Sequence, residues 1–202
     1  MLKVIPLQKL PTKLPSEADI LEIWFDRISA KHHEKILEKA KKTSTPIIYK
    51  LEKKLTPAKV LAVQYIDVDV STAPRTIKQF KKLNPKIKVI ISYHNFKETP
   101  YGKDLKGIHK KMSKKGADIV KFATHAKSIT DSFRMLDFLS ELSKKGQKAI
   151  CLCMGKHGLL TRISGHLFGN YLMYFSASKS KESKTAPGQI TIKEFNEYTH
   201  ES

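Results

Sequence analysis

Lys121 stands in the middle of ADIVKFAT (117–124), flanked by Ile119, Val120, Phe122 and Ala123. The run reads as a buried strand, and an ammonium in a strand core is costly, so its presence asks for a purpose. Other apolar runs carry polar residues of the same kind. ILEIWFD (20–26) offers Glu22, with Trp24 and Asp26 on the same face. YIDVDV (65–70) offers Asp67 and Asp69, and VIISYHNF (89–96) offers Ser92 and His94. Each has a plainer reading alone: His94 as a satisfied core residue, Asp67 and Asp69 at a solvent-facing strand end, Lys121 reaching outward. Their convergence argues otherwise, because a core needs no carboxylates, histidine and lysine at one level of consecutive strands. A lysine among apolar walls and near another cation loses proton affinity. The neutral amine attacks ketones and aldehydes to form a Schiff base. The iminium acidifies the adjacent carbon, and a histidine can remove that proton and later protonate a leaving group. Lys121 with His94 therefore points to proton abstraction beside a carbonyl: elimination, aldol chemistry or isomerisation.

The elements that must position these residues alternate along the chain. Apolar runs occur at 2–7, 20–25, 46–51, 60–70, 87–93, 117–123, 149–154 and 171–175. Helical spacing lies between them: Ile36, Leu37 and Ala40, then Phe133, Leu136, Leu139 and Leu142, with Asp131 as a cap. Alternating strands and helices imply parallel βαβ units. Eight repeats predict a single (β/α)8 barrel over 1–202, with helices and loops trimmed, since barrels typically need about 250 residues. The polar segment SASKSKESKTAPG (176–188) reads as a mobile loop on the face where barrels keep their sites.

The chain carries 38 basic against 19 acidic residues, for a formal charge of +19, and only four of the basic residues are arginine. Its lysines are dispersed in pairs through polar stretches, which predicts a solvated surface rather than a nucleic-acid-binding one. No apolar run approaches the roughly 20 residues that cross a bilayer, and the N-terminus has no small-residue cleavage site. Cys151 and Cys153 sit two apart on one strand face, a poor geometry for a disulfide. A reducing cytoplasm is the simplest setting, and no spacing suggests a metal.

Taken together, the motifs resemble type I 3-dehydroquinate dehydratase, the Schiff-base-forming enzyme of the shikimate pathway. The resemblance rests on ADILEIWFD (18–26), YIDVDV (65–70), IISYHNFKETP (90–100), GADIVKFAT (116–124), MGKHGLLTRISGHLFGN (154–170) and TAPGQI (185–190), six segments in the family's order. It implies a (β/α)8 barrel, a homodimer, no metal and no redox cofactor, with 3-dehydroquinate as substrate. It implies that Lys121 forms the imine with the C3 ketone. His94 takes a proton from C2 and returns one to the departing C1 hydroxyl. Arg162 holds the substrate carboxylate, Thr185 and Gln189 close over it from a lid, and Glu22 and Asp67 bind ring hydroxyls or hold the site in place. The family is sometimes fused to shikimate dehydrogenase, so the short chain is expected to be either a whole enzyme or a domain of a longer one.

Several positions depart from the family pattern. Trp24 replaces the arginine of E-x-R, and PIIYKLEKKLTPAK (46–59) has neither the usual arginine nor the glycine pair. Glu52 is the candidate for the acid that orients His94, and Lys50 for the missing positive charge. Asp69 stands where glutamate is common, and Asn95 where aspartate is. Retention of Lys121, His94, Arg162 and Gln189 favours an active dehydratase. The rivals are an aldolase-like enzyme on another keto substrate and a silent barrel that binds polyanions.

Overall fold

Why the polar residues meet is a matter of strand alternation. The computed structural model describes residues 1–9, 11–52, 57–180 and 183–199. Its strands are β1 (Leu2–Leu7), β2 (Ile20–Ile23), β3 (Ile47–Lys50), β4 (Tyr65–Asp69), β5 (Lys88–Asn95), β6 (Ile119–His125), β7 (Ala149–Met154) and β8 (Leu172–Tyr174). Its helices are α1 (His33–Lys42), α2 (Pro57–Leu61), α3 (Pro74–Leu83), α4 (Gly102–Lys114), α5 (Ile129–Lys144), α6 (Leu159–Ser164) and α7 (Ile192–Thr199). All eight strands are parallel, in the order β7-β6-β5-β4-β3-β2-β1-β8. This is the expected (β/α)8 barrel, and its short α2 and α6 are where the helices are trimmed.

Alternate strand residues pack two separate cores. Val4, Ile20, Ile48, Ile90, Ile119 and Ile150 belong to the inner one. Their neighbours Ile5, Leu21, Tyr49, Ile91, Val120 and Cys151 pack outward against the helices. Both cysteines of β7 are free, buried and on that outer face.

The ladder ends, β7 and β8, meet through a different device. Tyr171 N donates to Ala149 O at 2.8 Å. Beside it the buried Asn170 carboxamide stands in for a strand peptide. Its Oδ1 accepts from Cys151 N at 2.8 Å, and its Nδ2 donates to Cys151 O at 3.4 Å.

Three details correct the sequence reading. The run 60–70 splits into the end of α2 and β4, because Val60 and Val63 are buried from a helix and its following turn rather than from a strand. The N-cap of α5 is Ser128. Asp131 lies inside the first turn, where its carboxylate accepts the backbone N–H groups of Lys127 and Ser128. Phe133 is exposed, and Met135 and Phe138 join Leu136, Leu139 and Leu142 on the buried face.

Asn170→Ala removes the closing carboxamide and strands a buried N–H. It should lower unfolding free energy by about 2–3 kcal/mol in urea titration, a loss that a surface asparagine change would not produce.

Candidate active site

Inner-face positions two residues above the aliphatic layer carry the charges. Glu22 follows Ile20, Lys50 follows Ile48, Ser92 follows Ile90 and Lys121 follows Ile119. Lys50 lies level with Asp67 in the ladder, and Ser92 with Lys121. The sheet thus turns five widely separated segments into one cluster.

The cluster is dense and almost closed to water. Lys121 Nζ donates to Asp67 Oδ2 at 2.8 Å and to Glu22 Oε2 at 3.1 Å. Lys50 Nζ donates to Asp67 Oδ1 at 2.9 Å and to Ser92 Oγ at 3.0 Å, and Ser92 Oγ donates to Asp67 Oδ1 at 2.7 Å. Glu22 accepts two further bonds, from Trp24 Nε1 at 2.9 Å and from the Tyr174 hydroxyl at 2.8 Å. Glu22, Lys50, Asp67 and Lys121 are all buried. Two ammoniums and two carboxylates cancel, which is the condition for keeping them there.

Electrostatics sets protonation. Burial alone would lower Lys121, but Asp67 and Glu22 outweigh it and hold the ammonium well above the ordinary lysine value. The expectation of an amine with lowered proton affinity is therefore overturned for the resting site, because carboxylates and not cations are its nearest neighbours. Burial would raise Asp67, yet Lys121 and Lys50 keep it ionised below the usual carboxylate range. Half-buried His94, on the inner face two residues beyond Ser92, behaves oppositely. Burial, Lys50 and Lys121 push it down to about 4 against the pull of Asp67 and Asp69, so its imidazole is neutral at neutral pH.

Arg162 of α6 is 3% exposed. Its guanidinium gives one long bond, to Pro187 O at 3.4 Å, and its Nε is buried without a partner. Among the described residues it meets no carboxylate, and burial lowers it to about 10. The same Pro187 carbonyl accepts from Gly155 N at 3.3 Å. Gly155, at φ +81°, and Gly188, at φ +75°, allow this approach: a Cβ on Gly188 would lie 2.7 Å from Gly155 O. Gln189 is buried, and its Oε1 accepts from Thr185 N at 2.8 Å and from Thr185 Oγ1 at 3.2 Å.

Other expected residues are placed elsewhere. Glu52 does not join His94. It accepts from Arg27 Nε at 2.7 Å and NH2 at 2.6 Å, while its own N–H donates to Asp26. Asp69 is exposed and accepts from Ser71 N. Asn95 Oδ1 accepts from Lys97 N and Glu98 N. In the loop at 176–188, Lys181 and Glu182 lie outside the described residues. Ser183 Oγ meets the hydroxyls of Ser176 and Ser178 at 3.0 and 2.9 Å. Sequence reasoning missed Tyr174 and gave Lys50 only as a substitute charge. Inner-face alternation from Ile48 and Leu172 would have located both. Among the described residues no group of His, Cys, Asp and Glu could hold a metal ion, and no helix is long and apolar enough to cross a membrane.

Comparison with known proteins adds four findings. The family model described as type I 3-dehydroquinase matches residues 6–202. Over 135 residues, 66% of the chain, the sequence is 43% identical to a chloroplastic bifunctional 3-dehydroquinate dehydratase/shikimate dehydrogenase of Arabidopsis thaliana, covering 22% of that protein. It is 37% identical over 127 residues to a 3-dehydroquinate dehydratase of Dehalococcoides mccartyi, covering 63% of the chain and 55% of the relative. The matches thus span little more than half the length of these curated relatives, or less. The crystal structure of 3-dehydroquinate dehydratase from Geobacillus kaustophilus superposes with a TM-score of 0.80 at 20% identity, covering 100% of this chain and 92% of that one.

The histidine makes a signed prediction. As pH falls from about 6.5 to about 4, the unfolded chain takes up a proton that folded His94 refuses. Stability falls through that window by roughly 1.4 kcal/mol per pH unit per proton. His94→Gln should flatten this part of the melting-temperature profile relative to the parent.

Proposed function

Because the chain belongs to the type I 3-dehydroquinase family, we propose that it is a 3-dehydroquinate dehydratase acting through an imine on Lys121. The observation that carries this reading is Lys121 itself, buried on the inner face of β6 with its Nζ between Asp67 and Glu22.

Substrate binding draws on Arg162. A guanidinium buried without a carboxylate suits a carboxylate ligand taken as a bidentate pair. Thr185 and Gln189 close the last loop over the ring, and the hydroxyls of the substrate compete for the Glu22 and Asp67 oxygens. That competition loosens the ammonium of Lys121, and a freed carboxylate oxygen accepts its proton.

The neutral amine attacks the C3 ketone, and loss of water gives the protonated imine. His94, neutral in the resting site, takes a proton from C2 as the electron pair moves toward the iminium. It then returns the proton to the C1 hydroxyl, which departs as water. A second water hydrolyses the imine, giving 3-dehydroshikimate and Lys121. The net change is loss of one water. With Glu52 committed to Arg27, His94 works without that acid to orient it, which costs rate.

The relatives' names and the family resemblance support a place in the shikimate pathway, a homodimer, and a fused dehydrogenase as the form of longer relatives. Free, buried thiols at Cys151 and Cys153 suit the reducing cytoplasm.

The test adds 3-dehydroquinate to the purified protein, follows the conjugated enone by absorbance, and reads a borohydride-quenched aliquot by peptide mass. Enone formation with an adduct on Lys121 is expected. Lys121→Met should lose the adduct and at least about 10³-fold in kcat, and parental turnover in that variant would overturn the mechanism. Arg162→Met should raise KM roughly 10–100-fold, the value of one buried charge-assisted contact.

A further inference from the structure

Tyr174, on the last strand, meets the site twice. Its hydroxyl donates to Glu22 Oε2 at 2.8 Å, and the Lys121 ammonium lies 4.0 Å from the centre of its ring. The oxygen it binds is the one that Lys121 also binds, at 3.1 Å. A buried tyrosine needs a partner for its hydroxyl, and a backbone carbonyl would serve. Here the partner is the counter-ion of the proposed nucleophile. Resting on the reading of Lys121 as that nucleophile, we propose that Tyr174 is a positioning residue. Its hydroxyl draws charge from Glu22 and loosens the pair that holds Lys121, while its ring face keeps the amine in place.

The shared Glu22 oxygen gives the effect its sign. Lys121 is faced by Glu22 from β2, Lys50 from β3, Asp67 from β4, His94 from β5 and Tyr174 from β8. From β7 come the apolar Ile150, Leu152 and Met154, and from β1 Val4. Burial and Glu22 hold the Tyr174 hydroxyl well above its usual value, so it stays protonated and remains a donor. A carboxylate that gives up a donor keeps more charge for its remaining partners. Glu22 without the hydroxyl therefore grips the ammonium harder, and Lys121 releases its proton at higher pH. A cation over an aromatic face is favoured with or without the hydroxyl, so Tyr174→Phe isolates the hydrogen bond.

The experiment measures how readily Lys121 is methylated by formaldehyde with cyanoborohydride as a function of pH, read by peptide mass. It needs no dehydroquinate, so it reports on the amine whether or not the dehydratase reading holds. In Tyr174→Phe the midpoint should move alkaline by about half to one pH unit, read at a fixed pH below it as a labelling rate lower by roughly 3–10-fold. At neutral pH kcat should fall roughly 3–10-fold, as the shift implies, with KM nearly unchanged. Fluorotyrosine placed at 174 preserves the shape and donates more strongly, so it should move the midpoint the acid way. In a Glu22→Gln background the Phe substitution should no longer move it. An unchanged or acid-shifted profile for Tyr174→Phe, a flat response to fluorotyrosine, or a full shift surviving in Glu22→Gln would each overturn the proposal. A labelling shift in a protein that never forms enone would sink the dehydratase reading and leave the role of Tyr174 standing. Turnover with a flat labelling profile would sink this proposal alone.

Discussion

Four charges shut away from water inside a barrel of aliphatic side chains must cancel, and Glu22, Asp67, Lys50 and Lys121 do. No two sit on the same strand, so the electrostatic condition couples β2, β3, β4 and β6. Loss of one partner from such a pair typically costs about 3–5 kcal/mol, because the remaining charge stays buried. The array is held by short, directed bonds, including the Ser92 hydroxyl that ties Asp67 to β5. The barrel makes such an array possible: every second residue of every strand points to the same axis, so spacing two residues above the isoleucine layer suffices to bring charges together.

The same balance poses a chemical problem that the site must solve. Asp67 and Glu22 raise the proton affinity of the lysine that the proposed reaction needs as a neutral amine. Arg162 points to the resolution. Among the described residues it is the buried cation left over once the four charges are paired, with its Nε unpartnered. An anionic ligand at Arg162 restores neutrality there, and a ligand that also offers hydroxyls can take over the carboxylate oxygens from Lys121. In the proposed reaction, substrate binding and deprotonation of Lys121 are one event, and the resting amine stays guarded as an ammonium.

Much of this was legible in the residue order. Lys121 announced itself by contrast, a charge flanked by Val120 and Phe122. Glu22, Asp67 and His94 followed from alternation in runs rich in isoleucine. Lys50 gave no such contrast in a chain with lysines everywhere, and only its register with Asp67 shows its role. Tyr174 reads as an ordinary strand aromatic until the barrel closes and carries β8 round to the site. Glu52 misled because sequence gives distance along a chain and not direction. The strand ends at Lys50, and Glu52, two residues beyond, turns to Arg27. The 60–70 run misled because periodicity alone cannot separate a short buried helix turn from a strand.

Trp24 stands where the family resemblance expects an arginine. Its indole N–H satisfies the Glu22 oxygen that Lys121 and Tyr174 leave free. A neutral donor here supplies the hydrogen bond without adding a third cation to a balanced array. Arginine has not left the neighbourhood: the Arg27 guanidinium stacks 4.2 Å from the Trp24 ring and pairs with Glu52 at the exposed rim. The indole thus separates two electrostatic zones, a rim pair screened by solvent and an inner array that is not. Lys50 brings its positive charge to the inner zone as a point donor to Asp67 and Ser92 rather than as a planar fork. In the proposed enzyme, fine orientation of the substrate falls to Arg162 and the Thr185–Gln189 loop.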